Sequence, residues 1–137
     1  MSRYASRSTL VHCFMLWAET SPNTVYMTQP LDGGKTLEIT WGEAANQVTR
    51  VANYLKSLNL PAHSSIGLLG RNSAHWILAD LAVWMAGHVT VPLYPTLNAE
   101  SAEYILEHSE CKLLFLGKLD GKLAKKARVP SDLPWPR

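Results

Sequence analysis

Apolar residues at positions 10, 11, 14, 15 and 18 repeat with the spacing of one helix face, and Ser21-Pro22-Asn23 interrupts the pattern. This predicts an amphipathic opening helix over residues 10–18. Two short β-prone runs follow, 24–29 and 36–39, separated by the turn-rich Pro30-Leu31-Asp32-Gly33-Gly34-Lys35. Such a pair predicts a β-hairpin. Thr40-Trp41-Gly42-Glu43 has the form of a capping box, in which the threonine hydroxyl and the glutamate carboxylate satisfy each other's backbone amides. The helix that starts there carries Ala44, Ala45, Val48, Val51, Ala52, Leu55 and Leu58 on one face, and Asn59-Leu60-Pro61 ends it.

Beyond Pro61 strand and helix signals alternate. Residues 65–69 form an apolar strand run, Asn72 or Ser73 caps a helix through Ala86, and Gly87 ends that helix. Residues 89–93 make the next strand, with Pro92 and Pro95 marking where the chain leaves the sheet. Asn98 caps a helix to Ser109, with Ala102, Ile105, Leu106 and Ser109 on one face, and residues 112–116 make a third strand. The fold class is therefore α/β: a three-layer-type parallel βαβαβ half-sheet preceded by a helix and a hairpin. The helix over 73–86 is apolar on nearly all sides, which predicts a place between the sheet and a further layer. Residues 1–119 are expected to be one partial subdomain, and 120–137, basic and proline-containing, an irregular tail.

Composition narrows the function classes. With 137 residues there is material for one domain, and 47% apolar against 18% charged residues predicts a packed globule. Thirteen basic and eleven acidic residues give a net charge of +2, too balanced to indicate nucleic acid. Cys13 and Cys111, each alone in an apolar stretch, read as reduced core thiols, which fits a cytoplasmic protein. The N-terminal apolar segment is broken by His12, Glu19 and Pro22, unlike a signal peptide, and no apolar run has the ~20 residues of a membrane-crossing helix.

Candidate chemistry is sparse. Gly33-Gly34-Lys35-Thr36 resembles the end of a phosphate-binding loop, but position 29 is Gln29 instead of glycine and a strand run follows Thr36, so it reads as the hairpin turn. Gly67-Leu68-Leu69-Gly70-Arg71-Asn72 sits at a strand's C-terminal end, where open α/β sheets bind ligands, but it lacks the full glycine spacing and reads first as a turn. His12, His63, His75, His88 and His108 never fall at metal-ligand spacing. Asp80 is a lone charge in an apolar helix and reads as a structural hydrogen-bonding group. No serine lies in a Gly-x-Ser-x-Gly elbow, and the basic run Lys118, Lys122, Lys125, Lys126 and Arg128 reads as a solvated face. No catalytic, cofactor-binding or metal-binding residue is assigned.

Three segments nevertheless carry a resemblance. Residues 37–43 leading into Val48-Thr49-Arg50-Val51-Ala52-Asn53-Tyr54-Leu55, residues 67–76 with 84–97, and residues 104–115 are similar to the N-terminal region of adenylate-forming (AMP-binding) enzymes, and among these to the long-chain fatty acid-CoA ligases. The stretch from Trp84 to Leu97 is the most specific. The resemblance implies a parent that joins ATP and a fatty acid into an acyl adenylate with loss of pyrophosphate, assisted by magnesium, after which the thiol of coenzyme A displaces AMP. The Ser/Thr/Gly-rich phosphate loop, the ribose-binding aspartate and the C-terminal lysine of that family do not occur here, so the chain is expected to be a truncated N-terminal part, inactive alone. Residues 94–96 and the helix around Trp76 are expected near the acyl tunnel or an interface, and the parent is expected to be cytoplasmic, with homo-oligomerisation or peripheral membrane contact open. The alternatives are a non-catalytic α/β binding or oligomerisation module, and a small nucleotide-binding protein using the loop at Gly67 to Asn72.

Overall fold

A computed structural model describes residues 9–94 and 96–117. The chain runs α1 (Leu10–Thr20), β1 (Val25–Pro30), β2 (Thr36–Thr40), α2 (Trp41–Ser57), β3 (Ser65–Leu69), α3 (Ala74–Met85), β4 (Val89–Leu93), α4 (Ala99–His108) and β5 (Leu113–Leu116). The tail over 120–137, its basic run and Pro95 lie outside the described residues.

The helices begin and end where their caps dictate. Thr9, Thr40, Ser73 and Asn98 each accept a first-turn amide, and at Thr40 both halves of the capping box form, at 3.1 Å from the Glu43 amide and 3.0 Å from the Thr40 amide to the Glu43 carboxylate. Ser73, not Asn72, caps α3. Gly87 closes α3 in a left-handed conformation, with its own amide on the Trp84 carbonyl and the His88 amide on the Val83 carbonyl, both at 3.0 Å. Glu110 closes α4 in the same way without being a glycine.

β1 and β2 pair as an antiparallel hairpin, joined by a loop in which Gly33 and Gly34 both take positive φ. Pro30 ends β1 opposite Thr36, one residue beyond the predicted strand, at a terminal position where its missing amide interrupts nothing. An irregularity in register between Val25 and Met27 puts Tyr26 against Trp41, ring centroids 4.0 Å apart. The second sheet is parallel with order β4-β3-β5, so the first strand of the βαβαβ unit lies in the middle.

Side chains alternate across that sheet and define three layers. Ile66 and Leu113 pack with Leu55 of α2 and Val83 of α3 on one face, whereas Leu69, Leu93 and Leu114 pack with Leu106 of α4 on the other. A further core joins Phe14 of α1 and Ile39 of β2 to Ala44 and Val48 of α2 and Leu78, Leu81 and Ala82 of α3. α3 is thus covered by the sheet, α2 and part of α1, but Ile77 is 45% exposed and Trp84 37% exposed, so the expected outer layer is incomplete on that side. Two other expectations about α1 are corrected. Leu10 is exposed and Cys13 is no core thiol but exposed, since it stands one residue, about 100° of helix, before the buried Phe14. Cys111 is half-buried, as its place beside Leu106 and Leu114 requires.

Candidate functional site

The C-terminal end of β3 is the place where a parallel sheet offers a ligand site. Here two first-turn amides of α3 are already engaged: Trp76 donates to the Ser73 hydroxyl at 3.3 Å and Ala74 donates to Oε1 of Gln29 at 2.8 Å. Gln29 comes from β1, 45 residues away, and nothing local in the sequence announces its role. Gly70 lies so close to Gly117 that a Cβ on it would stand 2.9 Å from the Gly117 Cα. The loop at Gly67 to Asn72 is thus packed as a strand-to-helix turn, with two of the amides that an anion at this helix end would use already engaged.

The other sequence candidates are dispersed. Lys35 closes the hairpin turn, with the Leu31 amide donating to the Lys35 carbonyl at 2.8 Å, and Thr36 begins β2, so a strand and not a helix follows directly. His88 is buried, and its Nδ1 accepts the Ser64 amide at 3.3 Å; His108 stacks on Tyr104; His75 is exposed. Among the described residues no group of three His, Cys, Asp or Glu side chains is placed to hold a metal ion. Ser57, Ser64 and Ser109 donate to backbone carbonyls of their own turns. Asp80 has the structural partner that sequence reasoning left unnamed: the Thr90 hydroxyl donates to its Oδ1 at 2.6 Å. Burial pushes the Tyr26 phenol above its usual value, and it pushes the Cys111 thiol up against the opposing pull of the Ser109 hydroxyl.

Two surface grooves among the described residues bear on these candidates. One, of ≈ 750 Å³, lies between the hairpin, the start of α3 and the end of β5, where Leu31, Leu37, Trp76 and Phe115 share the walls with Asp32, Lys35 and Arg71. The other, of ≈ 480 Å³, lies between α1 and α3, with Trp17, Trp41, Trp76 and Trp84 around Asp80. Trp76 lines both; Tyr94 and Thr96 line neither and are exposed.

With this geometry described, comparison with known proteins assigns the chain. The family model described as "AMP-binding enzyme" matches residues 14–134. The chain belongs to the AMP-binding enzyme family. Its curated relatives include the long-chain-fatty-acid–CoA ligase FadD15 of Mycobacterium bovis, 32% identical over 113 residues that make up 82% of this chain and 18% of the relative. The long chain acyl-CoA synthetase 4 of Arabidopsis thaliana is 33% identical over 107 residues, 75% of this chain and 16% of that protein. The chain thus spans less than a fifth of the length of these relatives, a small N-terminal part of them. The fold agrees: the fatty acyl-adenylate ligase of Legionella pneumophila, solved with acyl adenylate and pyrophosphate, superposes with a TM-score of 0.79 at 21% identity, covering 98% of this chain and 24% of that one. No helix among the described residues is long and apolar enough to cross a membrane.

Proposed function

We propose that this chain is the N-terminal scaffold of a cytoplasmic long-chain fatty acid-CoA ligase and that, as 137 residues, it does not turn over by itself. The observation that carries the reading is the match to long-chain ligases across 82% and 75% of the chain, set beside a fold in which the polar side chains act as caps and turn-formers. In such an enzyme ATP, magnesium and coenzyme A serve adenylation of a fatty acid and then thioester formation, and the residues that contact them belong to other segments. The role of this segment is to present its half-sheet and the larger groove beside the hairpin to those segments.

Two measurements test the proposal. Hexadecanoate, ATP, magnesium and coenzyme A incubated with the 137-residue chain are expected to give no acyl-CoA and no pyrophosphate; steady turnover would overturn the scaffold reading. A chimaera in which this chain replaces the matching 18% of the mycobacterial ligase is expected to fold and to form acyl-CoA. A folded chimaera that binds ATP but makes no thioester would sink the ligase assignment.

A further inference from the structure

The groove between α1 and α3 has a chemical character that the scaffold role does not require. Trp76, Asp80 and Trp84 stand at successive i, i+4, i+8 positions of α3, so the carboxylate lies one helical turn from an indole on either side. The opposite wall is Leu10, Cys13 and Trp17 of α1. Trp17 is stacked on Trp41 at 5.7 Å and 22°, and Trp41 on Tyr26 at 4.0 Å and 26°, which fixes the orientation of the aromatic wall. Four of the chain's five tryptophans line this one depression, and Asp80 is the single acidic group among its lining residues.

We infer that this groove binds a quaternary ammonium ion, held by the indole faces of Trp17, Trp76 and Trp84 and by the Asp80 carboxylate. Three features select that class. Indole faces are electronegative, so a cation is favoured over a neutral body of equal size. The carboxylate adds a matching charge, and its geometry is set by the Thr90 hydroxyl, which occupies Oδ1 at 2.6 Å. A primary ammonium needs several hydrogen-bond acceptors, and the lining offers few, the Asp80 carboxylate with the Tyr26 phenol and the Cys13 thiol among mostly apolar and aromatic walls; a quaternary ammonium needs none. The volume of ≈ 480 Å³ is that of a small-ligand site. The larger groove, whose lining carries Asp32 together with Lys35 and Arg71, offers no comparable selection by charge.

The test uses choline and its neutral isostere 3,3-dimethyl-1-butanol as paired probes. Indole proton shifts and tryptophan emission of the 137-residue chain are followed during each titration. Choline is expected to bind saturably, shifting the indoles of Trp17, Trp76 and Trp84, and the isostere at least about fivefold more weakly. Asp80→Asn keeps an oxygen for the Thr90 hydroxyl while removing the charge, and is expected to weaken choline about fivefold with an unchanged circular dichroism spectrum. Trp84→Ala, at a partly exposed position, is expected to weaken it similarly, whereas Tyr104→Ala on α4 leaves it unchanged. Equal binding of choline and isostere, an unaltered choline affinity in Asp80→Asn, or shifts confined to other residues would each overturn the proposal. Because ligase activity is not the readout, the inference stands or falls separately from the scaffold assignment.

Discussion

Two glycines in β3 and its following turn are set by close approach, each to a different kind of neighbour. A Cβ on Gly67 would stand 2.8 Å from Leu114 Cδ1 and 3.0 Å from Leu106 Cδ2, both ends of fully packed side chains, so α4 sits on the sheet only because that Cβ is missing. Gly67→Ala is expected to cost about 1–3 kcal/mol in urea unfolding through overpacking. At Gly70 the obstacle is the Gly117 backbone, which has no rotamer to change, so Gly70→Ala is expected to lose at least as much and to disturb the 2.7 Å hydrogen bond from the Gly117 amide to the Leu69 carbonyl. Ionisable residues give a second prediction. Burial disfavours the charged forms of Tyr26 and Cys111, raising both above their usual 10.0 and 9.0. For acids raised in the folded state, the stabilising contribution is complete below the unfolded value and is lost as pH climbs through the folded one. Stability is therefore expected to fall on the alkaline side, above about pH 9, and Tyr26→Phe should remove from an absorbance titration a phenol that ionises above its usual value. Exposed Cys13 is expected to be alkylated at neutral pH well before half-buried Cys111, which mass spectrometry of iodoacetamide-treated protein would show; the reverse order would contradict the burial of Cys111.

Helix ends test the logic at the scale of elements. Gly87 and Glu110 occupy equivalent left-handed closing positions after α3 and α4, with φ of 83° and 54°, but only one is the residue that favours that conformation. Glu110→Gly is expected to stabilise the chain by about 0.5–1 kcal/mol and Gly87→Ala to destabilise it by a similar amount, read from thermal or urea midpoints. Like signs for the two substitutions would show that something other than backbone conformation decides these ends. The elements were largely legible beforehand because their signals are local: Thr40 with Glu43, Ser65 to Leu69, and Asn98 before an apolar face are short-range statements about capping and periodicity. What escaped lies between elements. Gln29 on the amide of Ala74 joins residues 45 apart, and Thr90 on Asp80, only 10 apart, joins a strand to the preceding helix across a turn, so neither pair follows from a local pattern of periodicity or capping. Cys13 was misplaced for the converse reason: composition made its stretch apolar, but helix geometry turned that one position outward.

At the scale of the whole molecule, the sequence disclosed a half-sheet and a family resemblance, and three-dimensional packing alone disclosed the grooves, because their walls come from α1, α3, the hairpin and β5 together. The larger groove exposes Leu37 at 39% and Leu116 at 43%. Apolar side chains left in water contribute little to the stability of the 137 residues, so the double substitution Leu37→Lys with Leu116→Lys is expected to change its unfolding free energy by no more than about 0.5 kcal/mol while reducing the binding of a hydrophobic dye. In a polypeptide of ligase length the scaffold reading puts other segments over the same faces, and two buried unpaired ammonium groups there would be severely destabilising. The same pair of substitutions in the chimaera with the mycobacterial ligase is therefore expected to lower its melting temperature and its yield of acyl-CoA several-fold. Equal tolerance in both contexts would mean that Leu37 and Leu116 face water in the longer protein as well, and the faces of this scaffold that are covered would then have to be sought elsewhere on it.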